Sequence, residues 1–219
     1  MINSRNLGRT GMLCVVSGPS GSGKTTLCRR LSEEDGFADY AISATTRSPR
    51  EGEVDGCDYF FLSRDDFEKR ATRGEFLEYA EVHGNFYGTL KSEVINRIKA
   101  GQDVLMDIDV QGAELVRASG DPMVRDAIVD IFIMPPDEQE LLNRLQGRGT
   151  ESQEQLDLRL HNAREEMRHW ESYQYTIVSA DKETDFRTFS SIIAGERCRT
   201  DRWREAANPD RPVQSELGL

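Results

Sequence analysis

Four short runs of mainly apolar residues recur along the chain. They cover residues 12–17, 103–109, 128–134 and 175–179. Within each run the apolar residues are largely continuous and do not alternate with polar ones. That pattern is typical of a strand buried on both faces of a sheet. The pattern therefore predicts four buried strands.

Helical segments alternate with these strands. They cover residues 24–34, 91–100, 112–118 and 137–146, and Gly101 is placed to end the second of them. A strict alternation of strand and helix implies right-handed crossover connections and a parallel sheet covered on both sides. We therefore predict an α/β fold in which helices flank a parallel sheet.

The alternation breaks between residues 41 and 89. Short β-type runs there surround one helix that begins at Ser63, where Asp66 completes a start that resembles a capping box. We expect this part to form a small, partly antiparallel insert at the edge of the sheet. The core domain then comprises residues 1–40 and 90–205.

Two further segments differ in composition from the core. A polar stretch precedes a long amphipathic helix over residues 153–170, which predicts a mobile lid at about residues 143–160. Residues 206–219 are polar and interrupted by proline, and no apolar period would dock them on the core. We predict that they form a flexible tail.

Composition narrows the classes of function. The 219 residues include 39 acids and 28 bases, for a formal net charge of −11, which argues against nucleic acid and anionic membranes as partners. The chain shows no signal peptide and no apolar run long enough to span a bilayer, so a cytoplasmic location is expected. The spacing of its cysteines and histidines suggests no zinc site, disulfide framework or Ser-His-acid site.

The segment GPSGSGKT after the first strand matches the phosphate-binding loop (P-loop) motif G-x-x-x-x-G-K-[ST]. Its glycines let backbone N–H groups surround a phosphate, and the following helix adds its positive N-terminus. Lys24 is expected to reach the β- and γ-phosphates, and the Thr25 hydroxyl to bind Mg²⁺. A purine triphosphate with Mg²⁺ is therefore the first predicted ligand. The residues assigned to it are Gly18, Pro19, Ser20, Gly21, Ser22, Gly23, Lys24, Thr25 and Thr26.

A local basic segment stands out in this acidic chain. SATTRSPR, residues 43–50, carries two arginines and four hydroxyl side chains without an acid. The guanidinium groups of Arg47 and Arg50 match the geometry of a phosphate. By itself the octapeptide fits a phosphate site and a solvated basic turn equally well.

The next segment, EFLEYAEVHGNFYGT, favours the phosphate site. It places Glu78 on a β-type run and delivers Tyr87 and Thr89 after a turn. A carboxylate can accept hydrogen bonds from N1–H and the 2-amino group of guanine, whereas adenine has no N1–H. Taken singly, Glu78 fits a solvated strand acid. Together with the neighbouring hydroxyls it predicts a site that recognises guanine.

At this point the chain resembles the guanylate kinases, a family of P-loop nucleoside monophosphate kinases. The matching blocks span roughly residues 13–178 and include VVSGPSGSGKTTL, SATTRSPREGEVDGCDYFF, FLEYAEVHGNFYGT, DVLMDIDVQGA, RLQGRGTES and LRLHNAREEM. The second block is the most specific to the family. The resemblance implies transfer of the γ-phosphoryl group of MgATP to GMP, and to dGMP, giving ADP and GDP.

The resemblance also implies individual roles. For the GMP phosphate it implies Arg47, Arg50, Tyr59 and Tyr87; for guanine, Ser43, Glu78 and Thr89; for Mg²⁺ through water or for the base, Asp107 or Asp109; for the ATP side, Arg144 and Arg148 of the lid. Arg159 would join Arg148 at the transferred phosphoryl group. The implied catalytic residues are Lys24, Arg47, Arg148 and Arg159.

Two positions depart from the family pattern. Thr89 stands where many relatives have serine, and Ser179 begins SAD where NDD is often found. Two other functions stay open as alternatives. One is a guanylate-kinase-like interaction module without catalysis, which the intact P-loop disfavours. The other is a P-loop kinase of another small phosphorylated acceptor, which Ser43, Glu78 and Thr89 disfavour.

Overall fold

The computed structural model describes residues 7–82, 84–146 and 153–205. The strands are β1 (Leu7–Arg9), β2 (Leu13–Ser17), β3 (Ala38–Tyr40), β4 (Ala44–Thr45), β5 (Phe60–Phe61), β6 (Phe76–Val82), β7 (Asn85–Leu90), β8 (Asp103–Asp107), β9 (Ile128–Met134), β10 (Tyr175–Val178) and β11 (Trp203–Glu205). The helices are α1 (Lys24–Glu34), α2 (Arg64–Thr72), α3 (Lys91–Lys99), α4 (Val110–Arg117), α5 (Pro122–Ala127), α6 (Glu138–Gln146), α7 (Gln153–Met167) and α8 (Lys182–Arg197).

Five parallel strands form the central sheet, in the order β3-β8-β2-β9-β10. The four predicted strands are all in it, which confirms the α/β fold. The edge strand β3 was not predicted. It has only three residues, too few for a periodic pattern, and it forms because Ala38 and Tyr40 pair with Asp103 and Leu105 of β8.

The middle strand β2 explains why the apolar runs are continuous. Its five residues are all buried. Leu13 and Val15 pack into one hydrophobic cluster with α3, α4 and α5, while Cys14 and Val16 pack into a second cluster with α1 and α8. Because side chains of a strand alternate between the two faces, a sheet covered by helices on both faces requires apolar residues at every position.

A separate sheet of mixed direction follows β3. Its order is β5-β4-β7-β6, with β7 antiparallel to both of its neighbours. Its core is aromatic, since the Phe67 ring stacks on Phe76 at 4.2 Å and on Phe86 at 5.2 Å. Ser63 caps α2 by accepting a hydrogen bond from Asp66 N–H, as the sequence predicted. The predicted partly antiparallel sheet is thereby confirmed.

One predicted helix is too long. Helix α7 ends at Met167 and not at residue 170, because the N–H groups of Arg168 and His169 turn to the carbonyls three residues back, Glu165 and Glu166. Such tightening commonly ends an α-helix. Of the predicted lid, residues 143–146 belong to α6 and residues 153–160 to α7, while residues 147–152 lie outside the described residues. The predicted tail, residues 206–219, also lies outside them.

The ends of the described chain meet in an antiparallel ribbon of β1 and β11. Beside it, Arg202 donates to Glu196 at 2.7 Å, and both side chains are 4% exposed.

None of the described helices combines the length and the apolar character needed to cross a membrane.

Candidate functional site

The P-loop lies at the carboxyl edge of the sheet, between β2 and α1. Gly18 is required by close packing, since a Cβ there would lie 2.4 Å from the carbonyl oxygen of Ile133. Gly23 is required by the backbone, because it caps α1 with a φ of 95° in the left-handed region. The loop therefore has the strand–loop–helix geometry that its motif requires.

Lys24 is folded back over this loop. Its Nζ donates to the carbonyl oxygens of Gly18 at 2.6 Å and Pro19 at 3.1 Å. Burial lowers the pKa of Lys24, although nearby carboxylates oppose the shift, Glu166 most strongly and then Asp107. The half-buried ammonium group therefore lies against the backbone at the start of the loop.

Asp107 ends β8 next to the P-loop. The Thr25 hydroxyl donates to its Oδ2 and the Tyr40 hydroxyl donates to its Oδ1. Burial raises the pKa of Asp107, opposed by the Thr25 hydrogen bond and by the charge of Lys24. Asp109, in contrast, caps α4 by accepting from Gly112 N–H at 2.8 Å. The two acids that the sequence left equivalent therefore have different positions, and Asp107 is the one that touches Thr25.

The oxygens of Thr25 and Asp107 suit Mg²⁺, which prefers hard oxygen ligands. In the described part of the chain, no group of three or more His, Cys, Asp or Glu residues could hold a metal ion. An ion at Thr25 would therefore need further ligands from outside the protein. Phosphate oxygens and water commonly fill that role for Mg²⁺.

A cavity of about 840 Å³ opens between the two sheets. Across the β6–β7 pair at one wall, the backbone N–H and the hydroxyl of Thr89 bond to the Glu78 carboxylate. Burial raises the pKa of Glu78, the Thr89 bonds oppose the shift, and the charge of Asp109 adds to it. A desolvated carboxylate is thus held in a pocket. The predicted residues among those that line the cavity are Thr25, Ser43, Tyr59, Glu78, Tyr87, Asp107 and Asp109.

Arg47 extends from the loop after β4. Its guanidinium donates to Glu53 Oε1 at 2.7 Å and lies 5.4 Å from the centre of the Tyr59 ring. The hydrogen bond to Glu53 raises the pKa of Arg47, and a hydrogen bond between Arg47 and Tyr87 adds to this shift. The rings of Tyr59 and Tyr87 meet edge to face at 6.2 Å. These three predicted phosphate-binding residues are therefore together.

Arg50 is the fourth residue of that predicted set. Its backbone N–H donates to Glu53 Oε2 at 2.7 Å, and the residue is exposed. Glu53 therefore ties the backbone at Arg50 to the guanidinium of Arg47. The sequence analysis did not single out Glu53, because an acid in a glycine-rich turn carries no signal of what it contacts.

A second cavity, of about 1030 Å³, lies on the other side of the P-loop. Arg144 lines it and donates to Ser179 Oγ at 3.0 Å, and Ser179 in turn donates to Asp185 Oδ2 at 2.6 Å. Ser179 is buried, so the departure from the family pattern at this position orients an arginine. The predicted residues that line this cavity are Ser20, Gly21, Ser22, Gly23, Lys24, Thr25, Thr26 and Arg144.

The two remaining predicted arginines are Arg159 and Arg148. Arg159 is half-buried on α7. Arg148 lies outside the described residues.

Helix α7 also brings Glu166 within electrostatic reach of Lys24. Burial raises the pKa of Glu166, and the charge of Lys24 opposes that shift. No sequence pattern had marked Glu166 as part of the site.

Comparison with known proteins agrees with this geometry. The family model described as guanylate kinase matches residues 10–196. Guanylate kinase from Clostridioides difficile is 42% identical over 196 residues, which are 90% of this chain and 93% of that protein. The protein of the same name from Agrobacterium fabrum is 44% identical over 196 residues, with 90% and 87% covered.

A solved structure gives the same result. The crystal structure of guanylate kinase from Anaplasma phagocytophilum has a TM-score of 0.69 and 34% identity, and the match covers 90% of this chain and 92% of that chain. These matches confirm the enzyme class that the sequence predicted, and the chain belongs to the guanylate kinase family.

Proposed function

We propose that this protein transfers the γ-phosphoryl group of MgATP to GMP, and to dGMP, giving ADP and GDP. The observation that carries this proposal is the position of Thr25, which lines both cavities. A triphosphate in the P-loop and a monophosphate in the cavity between the sheets would then meet beside this residue. Placement of that kind is what a direct transfer between two nucleotides requires.

The acceptor side supports GMP. Glu78 is desolvated and held by Thr89, so an incoming base must satisfy a carboxylate. Guanine offers two donors to it, N1–H and the 2-amino group, whereas adenine would leave it without the N1–H partner. Ser43 also lines this cavity and offers a further hydroxyl. Arg47, Arg50, Tyr59 and Tyr87 would bind the phosphate of the acceptor.

The mechanism needs no general base. The second pKa of a phosphate monoester is about 6, so the attacking oxygen of GMP is already mostly anionic at neutral pH. The work left for the protein is to align two anions and offset their repulsion. Lys24, Arg47 and Arg159 would offset this repulsion with their positive charges. Arg148 of the predicted lid would add a further charge. Arg144 would bind on the ATP side.

Magnesium fits the oxygen donors beside the P-loop. Thr25 would hold the ion directly and Asp107 through water, while Asp109 serves as the helix cap described above. When bound, the ion neutralises charge that develops on the transferred phosphoryl group. The residues around it would orient the two nucleotides.

A coupled assay of ADP release tests the proposal. GMP and dGMP should support turnover with ATP and Mg²⁺, and AMP, CMP and UMP should not. Turnover with a sugar phosphate in place of GMP would favour a P-loop kinase of another acceptor. Absence of turnover, together with unchanged binding of GMP, would instead favour a non-catalytic interaction module.

A further inference from the structure

The Asp107 carboxylate has a hydroxyl partner on each of its two oxygens. Thr25, from the start of α1, donates to Oδ2, and Tyr40, from the end of β3, donates to Oδ1. A carboxylate held at only one oxygen can still rotate about its terminal bond. With both oxygens held from two elements, the side chain of Asp107 has one orientation.

Tyr40 is itself held in place by the sheet. Its backbone pairs in parallel with Leu105 of β8, and its carbonyl accepts from Arg97 at 3.4 Å. Its ring packs against the hydrophobic cluster under α1 and α8. The position of β3 in the sheet therefore fixes the Tyr40 hydroxyl next to Asp107.

We propose that Tyr40 is a positioning residue for the magnesium site, acting through the Asp107 carboxylate. This inference rests on the proposed function, in which Thr25 and Asp107 serve the ion. With Oδ1 held by Tyr40, Oδ2 faces Thr25, and the remaining lone pairs can accept from water on the metal. Partners that orient a group at a metal site typically affect metal affinity about 10-fold or more when removed.

The alternative is that the Tyr40 hydroxyl only satisfies a half-buried carboxylate. Tyr175 provides a matched control, because its hydroxyl also donates to a carboxylate, Glu196 Oε1, at 2.6 Å. That pair lies between β10 and α8, and Tyr175 does not line either nucleotide cavity. Tyr40→Phe and Tyr175→Phe therefore remove the same kind of hydrogen bond at two different places.

The test measures the affinity of Mn²⁺ for the protein bound to a non-hydrolysable ATP analogue, by electron paramagnetic resonance without GMP. Tyr40→Phe should weaken Mn²⁺ binding about 10-fold, and Tyr175→Phe should leave it unchanged. In turnover assays Tyr40→Phe should raise the Mg²⁺ concentration needed for half-maximal activity and leave the KM for GMP unchanged.

The inference is overturned if Tyr40→Phe binds Mn²⁺ as the wild type does, or if both variants lose affinity equally. A higher KM for GMP with normal Mn²⁺ binding would also overturn it, placing Tyr40 in the acceptor pocket only. An Asp107→Asn background gives a second measurement, in which Tyr40→Phe should add no further loss of Mn²⁺ affinity; a full additional loss contradicts the inference. Wild-type protein that fails to phosphorylate GMP would refute the proposed function, while the Mn²⁺ measurement would still test Tyr40.

Discussion

Glu53 holds Arg47 with one carboxylate oxygen and the backbone N–H of Arg50 with the other, at 2.7 Å in each case. The arginine proposed to bind the acceptor phosphate is thus oriented by an acid of the same loop. Two effects on GMP oppose each other here. The carboxylate organises the loop, and its charge repels the phosphate.

We expect organisation to be the larger effect. Each hydrogen bond contributes about 1 kcal/mol, while repulsion near the surface is screened by salt. Glu53→Ala should therefore raise the KM for GMP about 10-fold. Glu53→Gln keeps acceptor and size without the charge, and should raise it about 3-fold or less. Steady-state kinetics at saturating ATP measures both, and a lower KM in Glu53→Ala would show that repulsion dominates.

The binding of GMP should depend on the ionisation of Glu78. Burial raises the pKa of this carboxyl, so it takes up a proton at a higher pH than an ordinary glutamate. Because only the ionised form accepts both guanine donors, GMP affinity should fall as pH decreases through that raised pKa.

Titration of GMP across acidic and neutral pH tests this dependence. Glu78→Gln should bind GMP about 10-fold more weakly at neutral pH and should lack the Glu78 part of the acidic decline. The phosphate of GMP titrates at about pH 6 in both proteins and is a shared background. Identical pH profiles for the two proteins would rule out Glu78 as the group responsible.

Lys24 should contribute mainly to the chemical step. Its ammonium group now bonds to Gly18 and Pro19 carbonyls and would turn to the phosphates of ATP. Lys24→Met should lower kcat about 100-fold or more, since it removes a charge aimed at the transferred group. Lys99→Met, on the exposed side of α3, is the matched control and should keep wild-type kcat. A stopped assay measures kcat of both variants. Similar kcat values for Lys24→Met and Lys99→Met would remove Lys24 from the mechanism.

The buried pair of Arg202 and Glu196 should matter for stability and not for turnover. Arg202→Met leaves the Glu196 carboxylate buried without this partner, which should cost about 3 kcal/mol of unfolding free energy. Arg199 also contacts Glu196, at 3.4 Å, but is half exposed, and Arg199→Met should cost less than about 1 kcal/mol. Urea unfolding measures both changes. Equal losses would mean that burial of the pair is not the cause.

Much of the fold could be predicted because the patterns that encode it are local. The run Ile128–Met134 is a strand with the predicted bounds, and α1 begins at Lys24 and ends at Glu34 as predicted. Helix α2 begins after Ser63 because its cap is encoded three residues apart. By contrast, β1, β3 and β11 have three residues each and form only because they pair with another strand. They are too short for a periodic pattern to predict them.

The sequence alone determined the P-loop, because its strand, glycines, lysine and helix are contiguous and their geometry follows from local backbone preferences. Only the tertiary structure decided that Asp107 and not Asp109 meets Thr25, and that Tyr40 reaches the same carboxylate from 67 positions away. The physical reason is that a side chain's partners across parallel strands depend on which strands become neighbours. That order is set by burial of the whole sheet between its helices and not by any short segment.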